Sequence, residues 1–242
     1  MICLWNYNPL ISAFKRWYQG LRNNVFFNLI PLVAFIFQGI LLIIVLRVRI
    51  KSPVHWAFSA FLGTMALWGL LISGLRNSPT LAIAQVWEGF LLPVLVLSSY
   101  SFLVFAILFT RRPLNRATIV FISIPVGILL AISPTSLVLR GMQVRPYGYA
   151  PILGPLWSVW ITGIYAALFI SFYYLYRFHS TATSADDRNR ALYVLGGIVA
   201  TFLGGTSDYV AATGLIPHPG GIYGNIVFAV LATMAVVRHK LV

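Results

Sequence analysis

Residues 82–109 read AIAQVWEGFLLPVLVLSSYSFLVFAILF, an apolar run broken by one charge, Glu88. A bilayer-spanning helix needs roughly 20 mostly apolar residues, so this stretch crosses with room to tilt. A transmembrane strand would instead alternate over about ten residues. Here the apolar content is continuous, and a continuous run in hydrocarbon satisfies its backbone only as helix. Working outward, comparable segments fall near 24–46, 54–75, 117–133, 154–176, 191–213 and 221–237. Together they predict an all-α integral membrane protein, a seven-transmembrane helix bundle. Pro31, Pro93 and Pro125 lie inside spans, where kinks are tolerated because neighbouring helices and side chains re-satisfy freed backbone groups.

The whole chain agrees with that reading. Of its 242 residues, 60% are hydrophobic and 9% charged, and the mean hydropathy is +0.88. A soluble domain has about 25% charged residues, so an ordinary soluble fold is excluded, and the wealth of Phe, Leu, Ile and Val excludes a disordered chain. Seven spans occupy most of the length and leave no room for a catalytic domain of about 150 residues. The single cysteine, Cys3, allows neither an internal disulfide nor a zinc cluster.

Basic residues set the orientation. Arg47, Arg49, Lys51, Arg111, Arg112, Arg116, Arg177, Arg188, Arg190, Arg238 and Lys240 fall on one side, eleven in all. Six fall on the other: Lys15, Arg16, Arg22, Arg76, Arg140 and Arg145. The C-terminus is therefore expected in the cytoplasm and the N-terminus outside, in a multi-pass protein of the plasma membrane. The net charge of +13 does not imply nucleic acid. Its basic residues sit at helix ends, where they meet lipid head groups, and no compact basic domain remains. Residues 9–22, PLISAFKRWYQGLR, place Phe14, Trp17, Tyr18 and Leu21 against Lys15, Arg16 and Arg22. The reading is an amphipathic interfacial segment over 1–23, preceding a seven-helix domain over 24–242.

Four acids are present. Asp186 and Asp187 fall in the inner connection 177–190, with Asp187 near a helix start, where an acid is favourable. Glu88 and Asp208 both fall in the outer half of the bundle. An acid inside a span is costly and normally faces the bundle interior or a wet cavity. Two readings stand: a shared polar pocket, or separate acids at the interface paired with Arg76, Arg140 or Arg145. A proton or ion path would need polar residues through the full depth, which the inner halves lack. The connection 134–153, PTSLVLRGMQVRPYGYAPIL, is punctuated by proline and glycine and is expected to be a shaped loop rather than a helix. Its aromatic and basic residues either cap a ligand site or form an interfacial belt. The candidate ligand-binding residues are thus Glu88, Asp208, Tyr147, Tyr149, Tyr209 and Arg145.

No cofactor is expected. His55, His179 and His239 lie near the cytoplasmic surface and His218 lies in the outer turn 214–221, so no pair opposes its imidazoles at one depth for haem. Lys15, Lys51 and Lys240 flank spans, which leaves no mid-span amine for a Schiff base. No P-loop, HExxH, GxSxG or CxxC is present, and no nucleophile stands beside a base.

The stretch 204–240, GGTSDYVAATGLIPHPGGIYGNIVFAVLATMAVVRHK, resembles the end of the seven-helix N-terminal membrane region of sensor histidine kinases. That family shows an acid or amide late in helix six, a Pro/Gly turn, a Gly-Asn start to helix seven and a basic close. The matching positions are Asp208, Pro217, Pro219, Gly220, Gly224 and Asn225, then Arg238, His239, Lys240 and Leu241. YGYAPILGPLW, Tyr147 to Trp157, and FTRRPLNR, Phe109 to Arg116, are similar to two of its connections. The resemblance implies a non-catalytic sensory module that passes an external or intramembrane stimulus to a cytoplasmic partner through Arg238–Leu241. Its ligand is unspecified. Such regions are usually followed by an output domain, whereas this sequence reaches Val242 with no phosphoacceptor helix or ATP lid. Either a longer sensor or a module acting with a partner is expected. The competing reading is a non-catalytic scaffold subunit of a larger membrane complex. Either way the expected partners are membrane lipid and a protein or larger membrane complex, without nucleic acid.

Overall fold

A computed structural model describes residues 25–47, 52–145, 147–216 and 218–239. Seven helices and one β-hairpin are found there: α1 (Val25–Leu46), α2 (Pro53–Arg76), α3 (Leu81–Phe109), α4 (Arg116–Ile132), β1 (Leu139–Arg145), β2 (Gly148–Leu153), α5 (Trp157–Thr181), α6 (Ala185–Thr213) and α7 (Gly221–His239). The interfacial segment expected over 1–23 lies outside the described residues. So do Lys240, Leu241 and the side chains of Arg238 and His239.

Local chemistry explains where the helices begin. Pro53 occupies the first position of α2, where its missing N–H costs nothing, and the Ser52 amide donates to His55 Nδ1 at 3.2 Å. Thr80 Oγ1 accepts from the Ile83 amide at 3.3 Å to open α3. Asn115 Oδ1 accepts from the Thr118 amide at 2.8 Å to open α4. Such caps are worth about 0.5–2 kcal/mol each. Gly214, in the left-handed conformation at φ 88°, ends α6. That conformation favours glycine.

Five helices, α1, α2, α3, α5 and α6, are long and apolar enough to cross a membrane; α4 and the stretch Gly221–Leu231 are shorter apolar helices. The chain is thus a multi-span all-α bundle. Pro31, Pro93 and Pro125 all lie within continuous helices. The inner connection expected over 177–190 is mostly helical instead: α5 runs to Thr181 and α6 starts at Ala185. Asp186 and Asp187 occupy the first turn of α6, where the helix dipole favours them.

Neighbour contacts run α1–α2–α3–α5–α6–α7 and close from α7 to α1, while α4 packs outside against α3 and α5. One half of this ring is filled by Phe58, Phe61, Phe102, Phe105 and Phe228. Phe61 meets Phe102 at 4.9 Å and Phe228 edge-on at 5.0 Å. Between helices in lipid, such packing replaces the hydrophobic drive. The outward faces carry Val33, Ile36, Phe90, Phe121, Ile124 and Phe169, all exposed, as a lipid-facing surface requires.

At the phenylalanine end, Arg111 Nη2 meets Asp187 Oδ2 at 2.9 Å. This ties the α3–α4 connection to the start of α6. The Arg111 side chain is 73% exposed, so Arg111→Ala is expected to cost only about 0.2–1 kcal/mol. Thermal denaturation at low and high salt checks this. The loss should shrink as salt rises.

Candidate functional site

At the opposite end a second buried cluster, with Trp68, Leu71, Leu91, Leu92, Trp160 and Ile222, leaves space beside it. There the end of α2, the start of α3, the hairpin, the start of α5, the end of α6 and the start of α7 surround a cavity of about 190 Å³. Helical periodicity supplies its walls. From α6, Ile198, Thr201, Phe202, Gly205, Asp208, Tyr209 and Ala212 line it, at the three- and four-residue steps of one helix face. From α2 come Trp68, Ile72, Leu75 and Arg76 by the same rule. Phe61, Met65 and Ser98 lie among the lining residues further along α2 and α3.

The hairpin covers this end. Its strands are antiparallel, with Val144 opposite Tyr149 and Arg145 opposite Gly148, and the register shifts between Leu139 and Gly141. It packs against α2, α3 and α6. The sequence reading expected a shaped loop here. The turn lacks the Asn-Gly or Asp-Gly pair that marks a two-residue hairpin.

Five of the six predicted residues meet at this cavity: Glu88, Asp208, Tyr147, Tyr149 and Tyr209 all line it. Arg145 does not. Its Nη2 donates to the Ala212 carbonyl at 3.2 Å, one of the acceptors a helix C-terminus leaves open. Arg145 therefore fastens the hairpin to the end of α6. The side chain crosses Gly214 so closely that a Cβ there would fall 2.8 Å from Nη1.

The two acids have different surroundings. Asp208 Oδ1 accepts from the Gly221 amide at 2.7 Å, and the neighbouring Ser207 Oγ accepts from the Gly220 amide at 2.8 Å. These side chains satisfy amides at the start of α7 that have no intrahelical partner. Arg76 lines the same cavity as Asp208. Glu88 is only 5% exposed, and among the described residues no hydrogen-bond donor meets its carboxyl. Tyr147, in the hairpin turn, has its phenol pushed up to about 12, by burial first and against the opposing effect of Arg145. It is thus a neutral hydroxyl throughout the physiological range.

Sequence reasoning missed several lining residues. Trp157 stacks on Tyr209 at 6.1 Å and contacts Trp160 at 5.1 Å. Tyr165 bridges to Thr206 at 3.2 Å. Asn225 is 2% exposed, with its Nδ2 unpartnered among the described residues. Arg76 was visible only as a base beside a loop, and Asn225 only as part of the family-like ending. Among the described residues, no group of three His, Cys, Asp or Glu side chains is placed to hold a metal.

The fold is thus that of a multi-span helical membrane domain with a polar and aromatic cavity near one end. The chain belongs to the family described as the N-terminal 7TM region of histidine kinase, whose model matches residues 30–242. It is accordingly a non-catalytic sensory domain of two-component signalling in the plasma membrane. No curated protein and no solved structure matches the chain.

Proposed function

We propose that the cavity is the stimulus-receiving site of this sensory domain, and that α6 and α7 carry its state to the opposite face. In this reading all seven helices cross the membrane, with the N-terminus outside and the C-terminus in the cytoplasm. Residues 1–23 lie at the interface and 24–242 form the transmembrane domain. Glu88, Asp208, Tyr147, Tyr149 and Tyr209 face the ligand, and Arg145 holds the cap. Arg238, His239, Lys240 and Leu241 hand the change to a cytoplasmic protein partner. The observation carrying the proposal is the Asp208–Gly221 bond, which is both cavity wall and α6–α7 clamp. Whatever alters Asp208 alters how α7 begins. A signal requires two bundle states that the stimulus favours unequally.

The test places spin labels at Leu192→Cys on α6 and Met234→Cys on α7, both exposed positions, in a Cys3→Ser background in nanodiscs. Asp208→Ala is expected to shift the interlabel distance by about 1–2 Å, the scale of helix shifts in switching proteins. An unchanged distance distribution overturns the proposed route.

A further inference from the structure

The unmatched acid points to the class of ligand. The cavity holds two carboxylates, Glu88 and Asp208, and one guanidinium, Arg76. Asp208 takes the Gly221 amide at 2.7 Å, and Arg76 lines the same cavity. Glu88 is left over. It is 5% exposed, lines the cavity and meets no donor among the described residues. A buried carboxylate without a partner is costly, and an ammonium would supply the N–H donors it lacks.

The walls and the volume restrict that cation further. Trp68, Trp157 and Tyr209 supply aromatic surface, which suits both an ammonium and an apolar body. A cavity of about 150 Å³ accepts benzene. The present one, about 190 Å³, has room for one ring and a short arm. An anion is disfavoured, because Glu88 and Asp208 both line the cavity and would repel it.

We propose that the cavity binds a small monocationic amine, an ammonium on a short chain from one aromatic ring, with the ammonium on Glu88 and the ring among Trp68, Trp157 and Tyr209. This rests on the reading of the cavity as the stimulus site and names its ligand class.

Isothermal titration of the full chain in nanodiscs, with empty nanodiscs subtracted, tests it. The probes are 2-phenylethylammonium, neutral 2-phenylethanol and anionic 3-phenylpropanoate. Saturable binding of the ammonium alone is expected. Glu88→Gln should weaken it about tenfold or more, as loss of a charge-assisted contact implies. Gly205→Trp fills the cavity from a position whose Cβ meets nothing within 4 Å, and it should abolish binding. Equal or stronger binding of the alcohol or the carboxylate, or a Glu88→Gln affinity equal to the parent's, overturns the amine class. So does the absence of saturable ammonium binding. The spin-label pair separates the two proposals. A distance shift in Asp208→Ala without ammonium binding leaves the stimulus route standing and removes the ligand class. Glu88-dependent ammonium binding that leaves the α6–α7 distance unchanged does the reverse.

Discussion

Trp160→Ala is expected to destabilise the bundle by about 3–5 kcal/mol, the range for truncating a large buried aromatic side chain. Trp160 is completely buried on α5. Its ring contacts Trp157 at 5.1 Å, and its Nε1 donates to Ser133 Oγ at 2.9 Å. Ser133, itself fully buried, donates onward to the Leu129 carbonyl at 2.6 Å. One side chain therefore fills volume beside the cavity and links α5 to the end of α4, which otherwise has few partners. Trp160→Phe should keep most of the packing and lose the bond, at about 0.5–1.5 kcal/mol. Thermal unfolding in detergent checks the order Ala well below Phe, and Phe below the parent. A double-mutant cycle with Ser133→Ala should return a coupling of similar size to the bond. A Trp160→Phe loss equal to that of Trp160→Ala would show that the hydrogen bond, not the volume, dominates.

The second large effect is steric. Gly224→Leu should destabilise by roughly 3 kcal/mol, the upper part of the range for overpacking, or about 6–12 °C for a domain of this size. Gly224 lies where α7 crosses α6. A Cβ at 224 would press into the carbonyl oxygen of Ala200, with Thr201 Cα 3.1 Å away. A backbone neighbour cannot swing aside as a side-chain tip can, so the helices must separate. Close approach of this kind is what small residues provide between membrane helices. Gly39 on α1 is the control, because a Cβ there meets nothing within 4 Å. Gly39→Ala should be neutral or stabilising, since glycine is about 1 kcal/mol worse than alanine inside a helix. Thermal midpoints of the two variants should move in opposite directions or differ several-fold. Equal losses would mean that α6 and α7 are not in close contact.

The helices were legible because their signal is local. The run at 82–109 announces α3 through its own composition. The acids at 186 and 187 were read as part of a connection because polarity suggested its limits. The helix nevertheless starts at Ala185, since acids in a first turn favour a helix rather than end it. The hairpin was not legible. Its register depends on pairing between β1 and β2 and on docking against α2, α3 and α6.

The candidate site divides the same way. Residue type alone singled out Glu88 and Asp208, because an acid in an apolar span is expensive wherever it points. Their presence in one cavity was a matter of tertiary structure. They lie 120 positions apart on helices whose adjacency is set by the order α3–α5–α6 around the ring. No spacing in the chain encodes that order. The bases show the same limit. Arg76 and Arg145 looked equivalent as residues of one end, yet Arg76 lines the cavity while Arg145 reaches the carbonyl of Ala212. Sequence by itself determined a multi-span helical membrane domain, its sensory family and the two acids worth asking about, since transfer into lipid depends on composition residue by residue. Only the tertiary structure decided which acid is partnered and which is left facing the cavity, since a partner is defined by distance in space and not along the chain.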